Sequence, residues 1–213
     1  MFPKIRHYKV IPLLKMKNLE VDDALHVAEA LLSAGLPVME VLFRRHTDSR
    51  AIREIATRFP DFMVGAGNIL NRDQLLRALD TQAKFAMAPG VCTDTIKEGC
   101  ARRITFIPGA SSMTDILTIL KNGVTYFQYF PAETAGGIPF LRDILDPFEH
   151  LPLDVIARGG ITPEKMKFYL NLPQVAAVTV DWIIKPEYIA EKRWDQISNE
   201  ARNALDLAAA DAR

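Results

Sequence analysis

Residues 10–43 read VIPLLKMKNLEVDDALHVAEALLSAGLPVMEVLF, and the order of the patterns in them decides the fold. A short apolar run, Val10–Met16, leads through a polar turn into Val21–Ala34, where Ala24, Leu25, Val27, Ala28, Leu31 and Leu32 recur at helical spacing. Gly35 sits where a helix C-cap belongs, just before a second apolar run, Val38–Phe43. The unit is strand, helix, strand. Outward from it the alternation continues, with apolar runs at Phe62–Ala66, Phe85–Ala88, Ile104–Ile107, Thr125–Phe130, Leu153–Ala157 and Val175–Asp181. Helical patterns fill the intervals at Ser49–Arg58, Arg72–Leu79, Asp94–Ala101, Met113–Asn122, Phe140–Phe148, Pro163–Leu170 and Trp194–Leu207. Gly123 repeats the C-cap signal, and Pro163 opens a helix where its missing N–H costs little.

Eight strand–helix pairs in strict order predict a parallel sheet with crossover helices. Eight is also the count that closes a barrel around an interior filled by side chains. An open doubly wound sheet is the alternative, weakened by the lack of a GxGxxG turn after the first run. No linker, low-complexity tract or long charge block interrupts the chain, so residues 1–213 are expected to form a single α/β domain, a (β/α)8 TIM barrel.

Lys+Arg and Asp+Glu both number 26, a balance that gives no general attraction to nucleic acid or to an anionic membrane. Hydrophobic residues make up 49% of the chain, enough for a sizeable core, yet no apolar run approaches a bilayer span. The N-terminal residues Met1–Arg6 lack the apolar region of a secretory signal. Cys92 and Cys100 have neither a CxxC spacing nor a histidine at a metal spacing, and read as reduced thiols of a cytoplasmic protein.

Barrel active sites lie at the C-terminal ends of the strands. That rule selects Lys15, Glu40, Arg44, Asn68, Pro89-Gly90, Pro108-Gly109, Gln128, Glu133, Arg158-Gly159-Gly160 and Asp181. Polar groups there are hard to explain as core, because a buried unpaired one costs about 1–3 kcal/mol. Of the other polar residues, His46 reads as a solvated loop residue, and Ser111-Ser112 as a helix cap.

The segments Met39-Glu40-Val41-Leu42-Phe43-Arg44, Gly65-Ala66-Gly67-Asn68-Ile69-Leu70-Asn71, Ala88-Pro89-Gly90, Ile107-Pro108-Gly109, Phe130-Pro131-Ala132-Glu133 and Gly159-Gly160-Ile161 occur in order. Together they resemble the barrel aldolases that cleave 2-keto-3-deoxy-6-phosphogluconate and 4-hydroxy-2-oxoglutarate, over nearly the whole chain from about Val10 onward. The resemblance implies a sixth-strand lysine that attacks the substrate ketone, a glutamate that shuttles protons and an arginine that anchors the carboxylate. Glu40 matches the glutamate and Arg44 the arginine, but the lysine position holds Gln128. An amide has no basic lone pair and cannot form an imine.

Other departures gather in the same mouth. Asn68 and Arg158 each stand where the family has threonine, and Thr179-Val180-Asp181 replaces a Gly-Gly-Ser that donates to phosphate. An aspartate there repels an anion by about 4 kcal/mol at ~4 Å and an effective dielectric near ~20, so a phosphorylated substrate is disfavoured. Asp181 is expected to pair with Arg158 across neighbouring strands. Lys15 is the best candidate for a relocated amine, with a substrate-carboxylate contact or a partnership with Glu40 as the plainer role. No cofactor is expected; the alternative is a divalent metal on Glu40, Asp181, Glu133 and Asn68.

Three functional readings follow. The first is a lyase acting on a small 2-keto acid, with Glu40 and Lys15 catalytic and Arg44, Asn68, Pro89, Gln128, Arg158, Gly159, Gly160 and Asp181 binding substrate. The second is a different keto-acid enzyme, a decarboxylase or isomerase, on the same barrel; the third is a catalytically silent protein that binds a small acid. The resemblance also implies a homotrimer.

Overall fold

The computed structural model describes residues 2–209, and positions 1 and 210–213 of the expected domain lie outside the described residues. Its strands are β1 (Val10–Leu14), β2 (Val38–Leu42), β3 (Met63–Gly67), β4 (Phe85–Met87), β5 (Thr105–Ile107), β6 (Gly109–Ala110), β7 (Tyr126–Tyr129), β8 (Asp154–Arg158) and β9 (Val175–Val180). All pairings are parallel, in the order β5-β4-β3-β2-β1-β9-β8-β7-β6. The two ends of that order, β5 and β6, are halves of one apolar run broken at Pro108. The first half pairs with β4 and the second with β7. The Gln128 N–H donates to the Pro108 carbonyl at 2.8 Å, so the sheet returns upon itself as a TIM barrel.

The helices are α1 (Phe2–Tyr8), α2 (Val21–Ser33), α3 (His46–Arg58), α4 (Arg72–Leu79), α5 (Thr93–Ala101), α6 (Met113–Lys121), α7 (Gly137–Leu145), α8 (Pro163–Leu170), α9 (Pro186–Ala190) and α10 (Trp194–Ala209). Local chemistry sets their ends. Glu20 and Asp23 form a capping box at α2, and the Ser112 hydroxyl accepts the Asp115 N–H at 3.2 Å, as expected of a cap. Gly35 and Gly123 take positive φ of 81° and 76°, the left-handed geometry that ends α2 and α6. Helices α1 and α9 were not legible from apolar periodicity, because they span only 7 and 5 residues. Ile5 of α1 is nevertheless fully buried, and α1 packs against β1 and β9.

Register fixes which side chains share the interior. Neighbours in a parallel pair point to the same side, and Thr179 lies beside Ile11, Leu13 beside Glu40, and Glu40 beside Gly65. On the other half, Gly109 lies beside Gln128, Gln128 beside Ile156 and Arg158 beside Thr179. Glu40, Gln128 and Arg158 therefore all project into the barrel. Space for them and for the Phe85 ring comes from β3. A Cβ on Gly65 would lie 2.2 Å from the Phe85 ring, and one on Gly67 would lie 1.8 Å from a Glu40 carboxylate oxygen.

A methyl group at residue 65 should therefore overpack the interior. Gly65→Ala is expected to lower stability by about 1–3 kcal/mol in urea denaturation, with part of the loss recovered when Phe85→Leu is added. An unchanged unfolding midpoint for Gly65→Ala would show that the Phe85 ring does not press on β3.

Candidate active site

Glu40 is fully buried at the centre of β2, and its charge needs a partner. Arg158, buried at the C-terminal end of β8, supplies it: Nη1 donates to Glu40 Oε1 at 2.8 Å. The same guanidinium makes longer contacts with Gln128 Oε1 at 3.5 Å and Asn68 Oδ1 at 3.4 Å. It lies over the Phe130 ring, 5.3 Å from the centroid. The Gln128 amide nitrogen donates to the Ala88 carbonyl, which fixes that side chain in the wall. Glu40 Oε2 has no hydrogen-bond partner among the described residues.

Burial pushes the Glu40 carboxyl above its ordinary 4.5, although the attraction and hydrogen bond of Arg158 pull the other way. Desolvation wins because the carboxylate has one cation and no water-facing side. Glu40 thus holds its proton more tightly than an ordinary carboxyl does.

Above this pair opens a cavity of about 200 Å³ lined by Lys15, Arg44, Asn68, Arg158, Gly159, Gly160 and Asp181 among others. These seven sequence candidates converge on one mouth. Glu40 and Gln128 lie beneath it, and Pro89 is off the lining, its carbonyl backing onto Gly109. Gly159 and Gly160 hold positive φ of 110° and 75° where the chain turns away from β8. Arg44 is set on the rim by a residue that strand-end reasoning missed. Buried Asp48 accepts the Arg44 and Arg45 N–H groups, each at 2.7 Å, and so shapes the loop after β2. Its signal was the spacing of an acid three residues past the start of the loop, next to a helix.

The expected Arg158–Asp181 pair is not formed. Asp181 instead takes Lys15, Nζ to Oδ2 at 2.9 Å, with both side chains about half exposed at 52% and 58%. The reason is where each acid sits. Arg158 has the interior parity of Ile156, and neutralising a carboxylate out of water gains more than neutralising one on the rim. Lys15, on the strand beside β9, is then the cation left in reach of Asp181, and it does not partner Glu40.

Of the four residues considered for a divalent ion, Glu133 has its partners elsewhere. Glu133 accepts from Tyr169 at 2.6 Å and from Lys165, away from the pair at Glu40. Among the described residues, no group of three or more His, Cys, Asp or Glu side chains gathers in a geometry that would hold a metal.

A family model described as KDPG and KHG aldolase matches residues 2–200. The chain belongs to the KDPG and KHG aldolase family. It is 34% identical over 200 residues to the 2-dehydro-3-deoxy-phosphogluconate aldolase of Pseudoalteromonas atlantica, covering 94% of this chain and 91% of that one. To the KHG/KDPG aldolase of Escherichia coli K12 it is 33% identical over 199 residues, with coverages of 93% and 92%. Among solved structures, the KDPG aldolase of Legionella pneumophila, with pyruvate captured at low pH as a covalent carbinolamine intermediate, aligns at TM-score 0.90 and 32% identity, covering 96% and 98% of the two chains. The aldolase of Zymomonas mobilis ZM4 with 3-phosphoglycerate aligns at 0.87 and 30% identity, covering 97% and 95%.

Membership of the KDPG and KHG aldolase family accounts for the barrel and for the strand-end motifs, which lie where such a barrel carries chemistry. The buried Arg158–Glu40 pair makes a demand of its own on the fold. Removing one partner of such a pair strands the other charge. Arg158→Leu is expected to destabilise the fold at neutral pH by about 3–5 kcal/mol in denaturant titration, and adding Glu40→Gln should recover much of the loss. Loss of the cation raises the Glu40 carboxyl further, and its protonated form is the one that burial favours. The penalty should therefore shrink as the pH falls toward 4.5 and grow as it rises. A penalty independent of pH would show that Arg158 acts through packing alone.

Proposed function

We propose that the chain is a carbon–carbon lyase acting on a small 2-keto acid, in which Arg158 stabilises the developing enolate and no imine forms at residue 128. The observation that carries this reading is the buried Arg158–Glu40 pair directly beneath the mouth, beside a glutamine that stands where the family resemblance has the amine. Gln128 removes a positive charge from the wall and Arg158 brings one back within 3.5 Å of it. The Legionella relative holds pyruvate as a covalent carbinolamine. In this chain the electrons of the breaking carbon–carbon bond would collect on the ketone oxygen, where a guanidinium can meet them with hydrogen bonds and full charge. Arg158 spends one nitrogen on Glu40 and has other N–H groups left to donate.

Glu40 takes the hydroxyl proton of the fragment that leaves as an aldehyde and returns a proton to the enolate carbon, which gives the free 2-keto acid. Arg44 on the rim anchors the substrate carboxylate as a fork of donors, with Asn68 and the Gly159-Gly160 backbone alongside. Lys15, paired with Asp181 on the solvent side, contributes charge to the rim and does not attack the ketone. A homotrimer, with the chain as a single domain, is part of the same proposal by inheritance from the family.

Proton exchange tests this directly. In D2O the wild-type protein is expected to exchange the methyl protons of pyruvate, followed by NMR, and Glu40→Gln should slow the exchange by about 10²–10⁴-fold. The rate should rise with pH through a value above 4.5, because the carboxylate is the base and its proton is held more tightly than usual. Borohydride with pyruvate should add no mass. A reduced adduct mapped to Lys15 would overturn the enolate route in favour of a relocated amine. Exchange accompanied by loss of CO2 would point to a decarboxylase, and no exchange with any keto acid to a binding protein. Cleavage of 2-keto-3-deoxy-6-phosphogluconate is expected to run more than about 100-fold below that of a lysine-bearing relative.

A further inference from the structure

A second cavity, of about 580 Å³, adjoins the mouth between the loops that follow β1 and β9. Its walls are mainly apolar, formed by Leu14 and Leu19 on one side and Trp182, Ile184 and Ile189 on the other. Leu13, Lys15 and Asp181 line both cavities, so the Lys15–Asp181 ion pair is the partition between them. At about 200 Å³ the mouth falls below the ~300–1,000 Å³ usual for sites that enclose a larger ligand, and suits only a short acid head.

We propose that the substrate is a 2-keto acid with an apolar tail, its carboxylate and ketone in the mouth and its tail in this second cavity. The assignment rests on the keto-acid reading of the mouth and names the part of the substrate that reading leaves open. Three features support it. The larger space adjoins the site and shares a wall with it. Its lining is mainly apolar carbon, with Lys17, Lys185 and Glu187 as its other charged residues, so an apolar tail gains there by burial. The partition is a half-exposed ion pair, which water screens and which can swing aside without stranding a buried charge.

Calorimetric titration with pyruvate, 2-oxobutanoate, 2-oxopentanoate and 2-oxohexanoate reads the tail site. Each added methylene is expected to lower Kd by about fourfold, the fold-change for burying one CH2 group. Leu19 lines only the larger cavity and is partly exposed, so Leu19→Trp should fill the space with the fold intact. Leu19→Trp should flatten the series and leave the pyruvate Kd unchanged, and Leu19→Glu should reverse the preference through charge. Trp182 emission gives an independent readout, with Trp194→Phe as background. A Kd that stays flat or rises with chain length, or a slope untouched by either variant, overturns the tail site. If pyruvate still exchanges its protons while the series is flat, only the tail site has failed. If the series is steep and no exchange occurs, the tail site stands and the lyase reading falls.

Discussion

A fully buried carboxylate with one cation governs the centre of this barrel. Glu40 projects inward because its strand register demands it, and Gly67 keeps the adjoining strand clear of its oxygen. Once inside, its charge would cost several kcal/mol without compensation, roughly the whole margin by which many domains are folded. Arg158 meets that need from the far side of the barrel, and the positions of Gln128, Asn68 and Phe130 around its guanidinium follow. Lys15 and Asp181 are left to find each other on the rim.

The same pair links stability to chemistry. Burial raises the affinity of Glu40 for its proton, and the neighbouring guanidinium limits the rise. In the proposed reaction that carboxyl transfers the proton, and the cation beside it is an electron sink of the non-covalent kind. A floor that is polar and dry, under a short cationic mouth, with an apolar annex across a weak ion pair, forms a graded site. In the proposed substrate the mouth takes the reacting head and the annex the tail.

Kinship with the KDPG and KHG aldolases and a different local chemistry are compatible, because a barrel separates the two. Strand alternation and helix packing carry the fold, while a few strand-end residues carry the reaction. Gln128 on one strand and Arg158 on the next stand at the centre without disturbing the core, and the proposed reaction rests on them.

Eight strand–helix units, the apolar stripes of the longer helices, the Ser112 cap and the glycine stops were all legible in the chain, because each depends on residues within a few positions of one another. So was the placing of Lys15, Arg44, Asn68, Arg158, Gly159, Gly160 and Asp181 at strand ends around one cavity, whereas Pro89 and Glu133 lie off it. Helices α1 and α9 escaped, being too short to show a period. The break at Pro108 lay in plain sight, but its use in letting one run pair to both sides needed the closed sheet. The ion pairs could not be read from sequence at all. The pattern suggested Asp181 for Arg158 and Lys15 for Glu40, yet Arg158 and Glu40, 118 positions apart, were brought together because only one of the two acids was out of water. Sequence determined which charges stand at the mouth; tertiary structure, through burial, decided which of them pair and which remain for a ligand.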